Sequence, residues 1–116
     1  MTSKTVYKIC SKEEWENACT TGCFEGAAID LADGFIHFST ASQVQQTARL
    51  HFTQRKDLVL VAVEAKRLGD DLKWEAARGG ELFPHLYGTL DVGAATLVSD
   101  LPVAKDGVHI FPLLED

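Results

Sequence analysis

Apolar and polar positions alternate near the start of the chain. Thr5-Val6-Tyr7-Lys8-Ile9-Cys10 is rich in β-formers and predicts a strand. Ser11 then reads as an N-cap, and Glu14 three residues on completes a capping box. The helix runs through Trp15 and Ala18 and stops near Gly22. Trp15, Ala18 and Cys19 fall on one face, which is expected to pack on a sheet. Residues 23–34 carry glycines and acids and read as a loop with a turn at Asp33-Gly34. Phe35-Ile36-His37-Phe38-Ser39 follows as a short strand. Thr40 or Ser42 caps a second helix, Gln43 to Phe52, whose apolar stripe is Val44, Ala48 and Phe52.

Strand patterns dominate from there. Leu58-Val59-Leu60-Val61-Ala62-Val63 is nearly continuous and apolar, the signature of a central strand covered on both faces. A turn at Gly69-Asp70-Asp71 leads to a strand at Leu72-Lys73-Trp74-Glu75, and Gly79-Gly80 marks a loop. Pro84 to Leu90 reads as extended. Thr96-Leu97-Val98 and Val108-His109-Ile110-Phe111 read as the last strands, with an Asp106-Gly107 turn between them. Two main helices early and strands late predict an α+β fold rather than regular βαβ winding. The length of 116 residues fits a single domain, 1–116.

Composition narrows the function classes. Net charge is −6, which argues against non-specific nucleic-acid binding, since that needs a basic surface. The sequence has no apolar run of membrane-spanning length and no apolar core in its first residues to act as a secretory leader. Three cysteines, Cys10, Cys19 and Cys23, fit free thiols in a reducing, cytoplasmic compartment, and their spacing offers no metal site.

Two segments concentrate candidate chemistry. In the first, alternation puts His37 and Ser39 on one strand face with Phe35, and Ile36 and Phe38 on the core face. A helix start follows, where free N–H groups favour anions, and Gln43 lies in its first turn. The bland alternative is a histidine bonded to a neighbouring carbonyl and a serine acting as a cap. The second segment, 74–88, packs aromatic, charged and glycine residues together. There Arg78 offers a planar fork for a phosphate or carboxylate, and His85 and Tyr87 share a strand face. Glu75 and Arg78 could equally form an exposed ion pair, while Trp74, Phe83 and Leu86 read as core. His51 and His109 lack a partner motif.

Taken together, Tyr7-Lys8-Ile9, Trp15, Asp33 to Thr40, Gln43, Leu72 to Glu75, Arg78-Gly79 and Phe83 to Gly88 resemble the bacterial family catalogued as domain of unknown function 952. That family is grouped with ADP-ribosyltransferase-like folds, so the resemblance implies such a fold with a mixed or antiparallel sheet. The Ile36-His37-Phe38-Ser39 strand is similar to the histidine strand of RNA 2′-phosphotransferases and toxin-like transferases. In those enzymes the histidine contacts the ribose of NAD. The resemblance carries that role to His37, and more weakly to Ser39. A late-strand glutamate completes the toxin-like centres. Glu75 and Glu81 are candidates for it by composition alone. The combined expectation is a domain that binds NAD, ADP-ribose or a phosphorylated ribose, with His37, Glu75 and His85 as catalytic candidates and Ser39, Gln43, Arg78 and Tyr87 on the ligand. The rival class is a metabolite- or protein-binding module that uses the aromatic stretch 82–88 without turnover.

Overall fold

The computed structural model describes residues 4–116, apart from the Arg78 side chain. Residues 1–3, part of the stretch read for a leader, lie outside the described residues. The elements are β1 (Thr5–Ser11), α1 (Lys12–Thr21), β2 (Cys23–Phe24), α2 (Ala28–Asp33), β3 (Ile36–His37), β4 (Ser39–Thr40), α3 (Val44–His51), β5 (Leu58–Glu64), β6 (Leu72–Ala76), β7 (Leu82–Leu86), β8 (Leu90–Asp91) and β9 (Ala95–Asp100). Short 3-10 turns at Ala65–Asp71, Arg78–Gly80 and Val92–Ala94 link the later strands.

The architecture is α+β. A four-stranded sheet has the order β4-β1-β5-β9, a three-stranded sheet β3-β7-β6, and a two-stranded ribbon β2-β8. These pairings are antiparallel. The central β1–β5 ladder runs in continuous register from Thr5↔Glu64 to Ser11↔Leu58. As the apolar run predicts, β5 is covered on both faces: Leu58 to Val63 are all buried. One face (Tyr7, Ile9, Leu58, Leu60) packs on Val44 and Ala48 of α3, with Phe111 and Leu114 of the C-terminal segment alongside. The other face (Val6, Cys10, Val59, Val61, Val63) packs on Trp15 of α1, Phe24, Ile36, Phe38 and Leu86. The smaller sheets therefore lie against the second face of the large one.

The α1 boundaries follow the sequence signals. Glu14 N donates to Ser11 Oγ at 3.0 Å, and Ser11 N donates to Glu14 Oε1 at 2.8 Å. Gly22 closes the helix in the left-handed region, φ +90°. On the packing face, Trp15 and Ala18 are buried but Cys19 is exposed. Trp15 and Ala18 turn the helix toward β1, β5 and β2, and Cys19, next to Ala18 in the chain, falls at the solvent edge of that stripe.

The structure departs from the sequence pattern at five points. Residues 23–34 are not a plain loop: they contain β2 and α2, and the Asp33-Gly34 turn is the C-cap of α2. The early helices thus number three among the described residues. The strand 35–39 divides at Phe38, with Ile36–His37 pairing to β7 and Ser39–Thr40 to β1. Segment 108–111 is not a strand, because its backbone groups mostly turn back on their own hairpin through the single bridge Val103↔His109 and Ile110 N to Pro102 O. Trp74 is 38% exposed rather than core, since the large sheet covers only part of β6.

Removing the capping hydroxyl by Ser11→Ala is expected to lower stability by about 1 kcal/mol, measured as a shift of the urea midpoint with an unchanged slope.

Candidate functional site

The site is built around a buried carboxylate. Asp30 sits in the first turn of α2 and is 1% exposed. Its Oδ2 accepts from Ala27 N at 2.8 Å and faces Lys8 Nζ at 2.7 Å. Its Oδ1 accepts from His37 N at 3.1 Å and from His37 Nδ1 at 2.6 Å. Lys8 comes from β1, where alternation turns it to the same side as Val6 and Cys10, and it is 4% exposed. A buried charge is tolerated only when paired and hydrogen-bonded, and here each partner supplies that for the other. Gly26 makes room for the turn. Its φ is +123°, and a Cβ there would lie 2.8 Å from Asp30 Cβ.

His37 is thereby held at both ends. Nδ1 is on buried Asp30, and Nε2 faces Asp33 Oδ2 at 3.0 Å, a carboxylate 45% exposed in its side chain. In the ladder His37 lies opposite His85, and the two ring centroids are 5.5 Å apart, edge to face. His85 Nδ1 donates to Glu75 Oε1 at 2.8 Å, and the Tyr87 hydroxyl donates to the same oxygen at 2.7 Å. Glu75 reaches His85 diagonally across the β6–β7 ladder, because Lys73 is the residue directly opposite. Phe35 ties the group together, stacked on His85 at 4.3 Å and tilted against His37 at 4.6 Å and Tyr87 at 5.1 Å.

The electrostatics follow the geometry. Burial pushes the Asp30 carboxyl up, but the His37 hydrogen bond and the Lys8 charge outweigh it and hold it at about 2. The hydrogen bonds from His85, then Tyr87, lower Glu75. The Tyr87 phenol is raised in turn by its bond to that carboxylate. Burial pushes the Cys10 thiol up to about 12, so it is no thiolate nucleophile at neutral pH.

The sequence-derived candidates therefore divide. His37, His85, Glu75 and Tyr87 meet in one cluster. Ser39 is buried, with its Oγ 3.0 Å from Thr47 Oγ1 of α3. Gln43 is also buried: Oε1 accepts from Thr40 N at 3.0 Å, and Nε2 donates to Glu81 Oε1 at 2.9 Å and Leu82 O at 2.8 Å. Both reach a ligand only by giving up these partners. The Arg78 side chain lies outside the described residues. His109 Nε2 donates to Arg55 O at 2.8 Å and joins two loops. Phe83 is buried, as its reading as core expects. Two open hollows of about 450 Å³ lie away from the histidines, one lined by Lys4, Ala65, Trp74 and Leu82, the other by residues 103–107 with Gln54 and Lys56. Sequence reasoning missed Lys8 and Asp30. The available signal was a lysine at an inward-facing position of an otherwise apolar strand.

The family model described as "Protein of unknown function (DUF952)" matches residues 9–98, a span that holds His37, Glu75 and His85. The chain belongs to the DUF952 family. This DUF952 chain is similar to protein CC0527 from Caulobacter crescentus. The crystal structure of that protein is 54% identical, with 91% of this chain and 93% of that one covered and a TM-score of 0.88. Its solution structure is 55% identical over 90% of each chain, with a TM-score of 0.81. Among curated proteins, none matches. No helix among the described residues of the DUF952 chain is long and apolar enough to cross a membrane.

The low value of Asp30 has a pH consequence. Its folded carboxyl titrates at about 2 rather than 3.8, so the stabilisation is fully present above about pH 4. It is lost as pH falls from there through about 2, and amounts to something on the order of 2 kcal/mol. Asp30→Ala should lower stability by about 3–5 kcal/mol, because the Lys8 ammonium is left buried alone. It should also flatten the acid limb between those pH values in denaturation curves taken at fixed salt.

Proposed function

We propose that this domain binds a small nucleotide-like ligand, of the class of NAD, ADP-ribose or a phosphorylated ribose, over the His37–His85 pair. What carries the reading is the ladder register that brings two carboxylate-held imidazoles within 5.5 Å of one another, beside the half-exposed rings of Phe35 and Tyr87. Each imidazole donates Nδ1–H to a carboxylate, so Nε2 is the nitrogen a ligand hydroxyl or a proton would use, at His37 in place of Asp33 and at His85 on a buried ring. The arrangement suits a ribose, whose adjacent hydroxyls need donors and acceptors at about this separation. Tyr87 offers a ring face, and Arg78 would hold a phosphate.

Catalysis in this reading is transferase-like, a glycosyl or phosphoryl transfer of the ADP-ribosyltransferase kind. His37 orients the ribose, and His85 with Glu75 moves a proton or balances developing charge. Positioned general acids and bases of this sort contribute roughly 10²–10⁴-fold. Binding without turnover is the second form of the same reading. It is favoured by the two hydrogen bonds that already engage Glu75 Oε1.

Calorimetric titration of the full chain with NAD, ADP-ribose and 2′-phosphorylated RNA tests it. At least one should give saturable one-to-one binding, weakened 10-fold or more by His37→Ala and by Tyr87→Phe less. No saturable response to any of the three would end the proposal. Product analysis with the ligand that binds then separates turnover from binding alone.

A further inference from the structure

Lys8 is far from solvent, on the central strand of the large sheet, and touches neither histidine in the hydrogen bonds described above. Its ammonium is 2.7 Å from Asp30 Oδ2, and the other oxygen of that carboxylate is 2.6 Å from His37 Nδ1. We infer that Lys8 is a positioning residue that acts through Asp30: it locks the His37 proton on Nδ1 and so makes Nε2 the working nitrogen of the site. The inference deepens the nucleotide-binding proposal and rests on it only for what the ligand is.

A carboxylate only accepts, and a neutral imidazole donates from one nitrogen only. With Asp30 ionised, the contact at 2.6 Å requires the proton on Nδ1. Nε2 then carries a lone pair, and the exposed Asp33 carboxylate 3.0 Å away cannot hydrogen-bond to it. Asp33 is bound only while the ring is doubly protonated. In the neutral ring it is free to swing away and leave Nε2 to a ligand hydroxyl. The charged and titratable groups facing the ring are Asp30 with Lys8 behind it, Asp33, and His85 with its Glu75.

Asp30 stays ionised because the His37 hydrogen bond and the Lys8 ammonium together outweigh the cost of its burial. Without the ammonium, the carboxyl takes a proton from solvent and donates it to Nδ1. The ring then keeps its own single proton on Nε2, the opposite tautomer, which presents a donor where the wild type presents an acceptor.

Long-range ¹H–¹⁵N NMR of the full chain reads this directly, at a pH where His37 is neutral and with no ligand present. The wild type should show Nδ1–H as the majority tautomer. Lys8→Met should switch the majority to Nε2–H. If Lys8→Met does not fold, Asp30→Asn serves. Its oxygen stays at the Oδ2 position because Ala27 N and the Lys8 ammonium can only donate, whereas the ring can change tautomer; at the cost of the His37 N–H bond, the amide nitrogen then faces Nδ1 and the ring should again be Nε2–H. A wild-type ring protonated on Nε2, or a folded variant that keeps the wild-type tautomer, overturns the inference. A purely structural role for Lys8 would change the melting temperature and leave the tautomer alone. Because no ligand is used, failure of nucleotide binding and failure of this inference are separate results.

Discussion

A carboxylate removed from water needs a full set of donors, and Asp30 obtains them from three separate stretches of chain. Ala27 N belongs to the turn before α2, Lys8 to β1 and His37 to β3. Desolvating the carboxylate and the ammonium costs several kcal/mol each, which their attraction offsets only in good geometry. The geometry is therefore not free to drift. Moving β3 away from β1 would break either the ion pair of Lys8 with Asp30 or both hydrogen bonds of His37 to it. That constraint sets α2 and β3 against the large sheet and aims His37 outward.

The rest of the site inherits this placement. β7 pairs with β3 at Ile36↔Leu86 and His37↔His85, so fixing His37 fixes where His85 stands. The two imidazoles are nonetheless supported differently. Asp30 has a fully buried side chain, whereas the side chains of Asp33 and Glu75 are 45% and 41% exposed. Exposed ion pairs are worth at most about 1 kcal/mol. The inner carboxylate therefore acts as a fixed support, and the outer two are contacts that an incoming polar group can displace. A fixed inner support with exchangeable outer contacts is what the proposed ligand site would use.

Much of the fold is legible in the sequence because local signals and tertiary packing agree. The Ser11–Glu14 capping box, Gly22 and the continuous apolar run 58–63 each have one physical outcome, and each is found. The grouping of Phe35 with His37 and of His85 with Tyr87 is also legible from alternation, although Phe35 and Tyr87 fall just outside β3 and β7 and His85 is buried. What is not legible depends on long-range contacts. Helix α2 is six residues long and too short to be stable by propensity; it persists because Asp30 is bonded from outside it. The bend at Phe38 arises from the switch of partner strand, β7 before it and β1 after it, which no local pattern encodes. Ser39 and Gln43 look available in sequence, but α3 and the start of β7 take up their hydrogen bonds. The lysine–aspartate pair joins residues 22 positions apart through space, so spacing alone carries no sign of it.

Lys8 and Asp30 act as one unit. A double-mutant cycle of Lys8→Met and Asp30→Asn, with stability measured by urea denaturation at neutral pH, isolates their coupling. Strong non-additivity is predicted, about 1–3 kcal/mol, with the second substitution costing far less once the first is made. Losses that simply add, to within about 0.5 kcal/mol, would contradict the account.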